Sequence, residues 1–241
     1  VMALGFSKLN LQDCRLDGFE YTVQIAGGSE GVVEDCVVQN PGHCGITVGH
    51  DGAGEIRRNI VTGSAFHGVR CTGGKIEVSD NLIVKNKNRG IYLGNRSASG
   101  SIRNNLIQGN TTGISGFAQS RLDIENNLIL DSDYAGVDFR ASCNFHLNGN
   151  ILMGNTRGVV LFTEGEAMRT TLGENTFWKN QTHTENLELP GTSLEMDPRF
   201  RSADRGDFVP APVLVQAGQG LSDPEVLQTM WQTWKSIDEA P

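Results

Sequence analysis

Two side-chain pairs lie one repeat apart in this chain. His67 and Arg89 are separated by 22 residues, and so are Arg70 and Tyr92. Two guanidiniums, an imidazole and a phenol form a set with a definite chemical use. An arginine that neutralises a carboxylate makes the proton on the adjacent carbon more acidic. An imidazole or a phenol within reach can then take that proton, and a phenol can also give one to a leaving oxygen. Farther along stand Asp138, Arg140, Phe117 and Phe162, which offer charge and ring faces for holding a bound molecule. These side chains can cooperate only if the backbone brings them to one face.

The backbone pattern is a repeat. The tetrads Leu11-Gln12-Asp13-Cys14, Val33-Glu34-Asp35-Cys36, Ile56-Arg57-Arg58-Asn59 and Val78-Ser79-Asp80-Asn81 open a series. It continues with Ile102-Arg103-Asn104-Asn105, Ile124-Glu125-Asn126-Asn127, Leu147-Asn148-Gly149-Asn150 and Leu172-Gly173-Glu174-Asn175. The last member recurs in steps of 22, 23, 22, 24, 22, 23 and 25. A second mark keeps the same beat: Gly45-Ile46, Gly68-Val69, Gly90-Ile91, Gly113-Ile114, Gly136-Val137 and Gly158-Val159. Two registers locked over this many units predict a solenoid.

A period near 23 also fits leucine-rich repeats, but no unit holds a helical stretch or a Leu-rich consensus. Each unit instead divides into three short pieces with period-two alternation, such as 101–104, 106–107 and 113–115, which are strands. Three strands per turn, each stacked on its counterpart one repeat later, predict an all-β, right-handed parallel β-helix of about seven to eight coils. The recurring asparagines should line up as a ladder at one corner, since Asn tolerates the left-handed conformation and its amide both donates and accepts. Cys14 and Cys36 hold that slot in the first two coils. Asn40, Asn86, Asn110, Asn155 and Asn180 suggest a second ladder at the next corner.

Composition agrees. The 241 residues include 30 Gly and 7 Pro, the turn-rich balance of many short strands, and 38% hydrophobic residues suffice for a core. A net charge of −8 argues against non-specific nucleic-acid binding, which needs clustered cations. No apolar run suits membrane insertion. The five cysteines show neither CxxC pairs nor zinc spacing and read as small core or turn residues. No signal peptide is visible, and a start on Val1 without Met fits a processed chain or a removed leader, in a secreted or periplasmic setting.

With this pattern, residues 9–189 resemble the pectate-lyase-like superfamily of right-handed β-helices built of generic parallel β-helix repeats. The resemblance implies lyase, hydrolase or epimerase chemistry on acidic polysaccharides, or else a noncatalytic adhesin-like role. Signatures of particular members are missing. Gly42-His43-Cys44-Gly45 is the nearest match to a Gly-His-Gly element, and Asp197-Pro198 is followed by Arg199 where the mannuronan epimerases carry His. No carboxylate cluster for calcium is found, so no metal is expected, and the cofactor remains unassigned.

The resemblance places the binding cleft on the sheet of Gly-Ile/Val strands. Its first outward row then runs Thr47, Arg70, Tyr92, Ser115, Asp138, Val160, and the next runs Gly49, Thr72, Gly94, Phe117, Arg140, Phe162. His67, Arg70, Arg89 and Tyr92 would form one patch suited to β-elimination or epimerisation of a uronic acid. Arg70 or Arg89 would neutralise the carboxylate and His67 or Tyr92 would take the C5 proton. Asp138, Arg140, Phe117 and Phe162 would bind substrate. The alternative is a noncatalytic saccharide-binding or structural module of a larger surface protein. A glycoside hydrolase needs two facing carboxylates, and Asp138 has only Asp131, Asp133 and Glu164 near it in sequence.

The repeat domain is expected over 1–189 and a C-terminal capping segment over 190–241. Ser222-Asp223-Pro224-Glu225 starts a helix with a cap and a first-turn Pro. Val226, Leu227, Met230, Trp231, Trp234 and Ile237 then recur at helical spacing. This helix should cover the open end or a flank of the solenoid. Undocked, its two Trp residues would make a self-association contact. Residues 1–8 show no comparable cap.

Overall fold

The structure is a computed structural model that describes residues 1–162 and 170–239. It is a β-solenoid of about eight coils with three parallel sheets of nine, eight and nine strands. Each coil runs through the sheets in the same order. In one coil the strands are Val69–Thr72 in the first sheet, Lys75–Ser79 in the second and Leu82–Val84 in the third. Every strand pairs in parallel with its equivalents one repeat before and after. The interior is one continuous apolar column that includes Ile25, Val48, Ile76, Ile102, Val137 and Phe177.

The asparagine column forms at the corner between the second and third sheets. Asn59, Asn81, Asn105, Asn127, Asn150 and Asn175 are all fully buried. Each Oδ1 accepts the backbone N–H of the ladder residue one coil earlier, at 2.9–3.0 Å, starting with Cys36 on Asn59. The left-handed backbone lies one residue earlier than expected. Asp13, Asp35, Arg58, Asp80, Asn104, Asn126 and Gly149 carry the positive φ there, which leaves each ladder amide free to turn inward. The second corner is a broken ladder: Asn86 on Asn110, then Ser132 on Asn155 on Asn180. Asn40 is not part of it. Asn40 sits exposed at the left-handed position, the equivalent of Gly63 and Lys85, with its amide on Asp17.

The glycine that opens each first-sheet strand is required by close approach. A Cβ on Gly45, Gly68 or Gly90 would lie 2.7 Å from the carbonyl oxygen of its counterpart in the next coil. All five cysteines are free.

The third sheet is apolar on both faces. Leu82, Leu106, Leu128 and Ile151 point away from the interior column, yet each is buried. The covering is the tail of the chain: Phe208, Leu214, Leu221 and the helix Pro224–Asp238 with Leu227, Met230, Trp231 and Trp234. The helix begins where expected, with the Asp223 side chain accepting from the Glu225 N–H. It docks on the flank of its own chain. The third sheet also gains a final strand at Leu194–Glu195, paired with Thr176–Trp178, beyond residue 189. At the other end Met2–Ala3 joins the first sheet while Phe6 is 87% exposed. Among the described residues no helix is long and apolar enough to cross a membrane.

Candidate functional site

The first sheet's outer face carries the predicted rows in register. Thr47, Arg70, Tyr92, Ser115, Asp138 and Val160 are direct cross-strand partners in sequence. Arg70 and Tyr92 therefore stand on adjacent rungs, about 4.8 Å apart in the hydrogen-bonding direction. His67 sits in the turn leading into the first of these strands and Arg89 opens the second, and the Arg89 N–H donates to His67 Nδ1 at 3.3 Å. The four residues form one cluster.

His67 is 2% exposed, and its ring lies parallel to that of Tyr92 at 4.9 Å with 9° between planes. Burial, then the positive charges of Arg89 and Arg70, pull its pKa down to about 3. The ring is therefore neutral at ordinary pH, and because Nδ1 accepts a backbone N–H, its proton resides on Nε2. A group this reluctant to take a proton is a poor general base. His67 instead fixes the plane of Tyr92, whose other neighbour is the Arg89 guanidinium, 5.5 Å from the ring centroid.

The Tyr92 side chain lies along its own strand, and Gly94 makes room for it: a Cβ there would overlap the Tyr92 hydroxyl. Gly94→Ala should leave the fold intact, since the backbone there is not left-handed. It should nevertheless displace Tyr92 and depress any activity that depends on it. Circular dichroism and rate measured together check this; a normal rate would mean that the position of the hydroxyl is irrelevant.

The buried imidazole also gives a pH signature. His67 binds its proton near pH 6.5 when unfolded but only near pH 3 when folded. Between these values the unfolded chain holds more protons, so stability falls as pH drops below about 6.5 and levels off near 3. Urea midpoints at pH 7 and pH 4.5 should differ, and His67→Gln should reduce the difference; an equal difference in both proteins would contradict this origin.

A second group gathers two rungs on. Asp138 points outward from the sheet yet its side chain is 0% exposed, and its Oδ2 accepts from Arg140 Nε at 3.0 Å. Its Oδ1, and the Oγ of its register partner Ser115, have no hydrogen-bond partner among the described residues. The Arg140 guanidinium lies 3.9 Å from the Phe162 ring centroid. Arg140 thus satisfies one of the two Asp138 oxygens, and Asp138 is closed to solvent. Phe117 stands apart, 41% exposed. Asp131 accepts from the Gln108 side chain on the third-sheet side, Asp133 is exposed, and Glu164 lies outside the described residues.

The sequence reading missed a line of rings along the cleft edge. Tyr21, His43, Phe66 and His67 follow one another with centroids 5.4, 5.2 and 4.0 Å apart, ending on Tyr92. The signal was present, because Tyr21, His43 and Phe66 are spaced 22 and 23 residues apart. On the second sheet Asp123, Glu125 and His146 bring potential metal-ligating atoms within 4.8 Å of one another. Arg103 already bridges both carboxylates at 2.7 and 2.9 Å, so an ion would have to displace it.

The sequence matches the right-handed β-helix region family over residues 21–177, which is more than half of the chain. The chain belongs to the right-handed β-helix family. No curated protein matches this β-helix chain in sequence. Among solved structures, the periplasmic alginate epimerase AlgG superposes with a TM-score of 0.62 at 18% identity, over 80% of this chain and 59% of that one. A double mutant of AlgG gives 0.61 at 18% identity, over 81% and 60%. The β-helix here spans about three fifths of those chains. At that identity the likeness speaks for the fold.

Proposed function

We propose that this β-helix removes the C5 proton of a uronic-acid residue in an acidic polysaccharide, as an epimerase or a lyase. One observation carries the reading: two arginines flank a ring-locked tyrosine on adjacent rungs of the cleft sheet. Arg70 and Arg89 supply positive charge for the sugar carboxylate and for the negative charge that develops as the proton leaves. The Tyr92 oxygen, as phenolate, takes the proton and becomes the phenol. His67, neutral and buried, holds Tyr92 in place. If the C4–O bond then breaks, its electrons go to the leaving oxygen, which takes a proton, and a C4–C5 double bond forms. If C5 instead takes a proton from water on its opposite face, the sugar is epimerised. The fold shared with a periplasmic alginate epimerase supports the polymer class and a secreted or periplasmic setting.

A basic patch on a protein of net charge −8 also suits capture of a polyanion. The exposed rings of Phe66 and Phe117 favour the second reading, saccharide binding without turnover. Incubation with alginate, pectate and glycosaminoglycans in deuterated water separates the outcomes. New ultraviolet absorbance marks a lyase, and deuterium at C5 without cleavage marks an epimerase. Retarded migration in a polysaccharide gel with neither signal marks a binding module and overturns the catalytic reading.

A further inference from the structure

The tail helix does not seal the third sheet completely. Between them lies a cavity of about 490 Å³, floored by Leu130 and Met153 and walled by Phe200, Phe208, Trp231 and Trp234. That volume falls in the range of small-molecule sites. It lies on a different sheet from the cleft and uses none of the residues proposed for catalysis.

The charges at the cavity are unequal in their engagement. The ammonium of Lys85 is held by Asp238 at 2.7 Å. Asp131 already accepts from Gln108 at 2.8 Å, and Asp204, 80% exposed, accepts from the Ser202 hydroxyl. Lys235 has no carboxylate partner among the described residues. Its ammonium lies over two indoles, 5.4 Å from Trp231 and 5.2 Å from Trp234. The cavity therefore presents ring faces and one cation free to take an anion. A void of this size between packed elements also forfeits contacts that a bound ring would restore.

We propose that this cavity binds a small molecule made of an apolar ring and a carboxylate, with the ring among Phe208, Trp231 and Trp234 and the carboxylate on Lys235. Two of the three tryptophans of the chain line the site, so their fluorescence reports occupancy.

The probe is 3-phenylpropionate, compared at low salt with neutral 3-phenylpropanol and cationic 3-phenylpropylamine. Saturable quenching is expected, strongest for the acid. Lys235→Met keeps the apolar stem and should weaken the acid about three- to tenfold, as loss of one partly exposed ion pair would, with the alcohol unchanged. Leu130→Phe fills the floor and should abolish quenching by all three while the circular dichroism spectrum stays native. Absence of saturable quenching by any probe in the wild-type protein overturns the site. Equal affinity for acid and amine, or an acid indifferent to Lys235→Met, overturns the choice of a carboxylate.

Discussion

Asn105→Ala is expected to destabilise the protein by about 3–5 kcal/mol, a large effect for a single polar truncation. Asn105 is fully buried, and its amide reaches three rungs. Its Nδ2 donates to the carbonyls of Val78 and Arg103 and to Asn127 Oδ1, each at 2.9 Å. Its Oδ1 accepts both the backbone N–H and the Nδ2 of Asn81. Alanine removes all five bonds: the Asn81 N–H loses its partner at about 1–3 kcal/mol, while the Arg103 carbonyl keeps the Asp80 N–H, Asn81 Nδ2 keeps the Ile56 and Ser79 carbonyls, and each other bond lost costs about 1 kcal/mol. Cys36→Ala is the control, because that residue fills the same slot with only weak sulfur contacts. It should cost about 1 kcal/mol. Urea unfolding measures both; a loss below about 1 kcal/mol for Asn105→Ala would show that the column is not what sets the register of the coils.

Tyr92→Phe should lower turnover of a polyuronate by about 10² to 10⁴, the contribution of one positioned acid–base group. The substitution keeps the ring, hence the parallel contact with His67 and the contact with Arg89, and removes only the hydroxyl. Polymer affinity should therefore change little. Arg70→Ala should reduce affinity and turnover together, since the guanidinium meets the carboxylate before and during proton removal. Initial rates of unsaturated uronate formation or C5 deuteration, with gel retardation for affinity, distinguish the two patterns. Rates equal to wild type in both variants would remove this patch from the mechanism.

The coil path was legible because every constraint on it is local and repeated. The Asn column, the glycine row and the order of outward residues all follow from one 22-to-25-residue beat. The left-handed position was displaced by one residue because side-chain type alone does not say which of two adjacent polar residues turns inward. The tail's docking face was written in the third-sheet strands. Leu82-Ile83-Val84 and Leu128-Ile129-Leu130 are apolar throughout, the mark of a parallel sheet covered on both sides. Their reading as alternating strands hid that face. In the site, register placed Arg70 beside Tyr92 correctly. The burial of His67 and Asp138 was not legible, since it depends on neighbouring rungs and not on their own strands.

The tail crosses the stack lengthwise. Apart from the tail, each rung touches only the next, and such an array tends to unzip from either end. Here Lys85 is tied to Asp238, Asn104 to Ser222, and Asn126 to Gly218 and Gly220, while one apolar seam runs from Ile60 to Ile151. The segment works as a splint, spanning rungs that otherwise bond only to their nearest neighbours and making their melting a single event. Unravelling is left to the earliest rungs, near Leu9 and Leu16, which the splint does not reach.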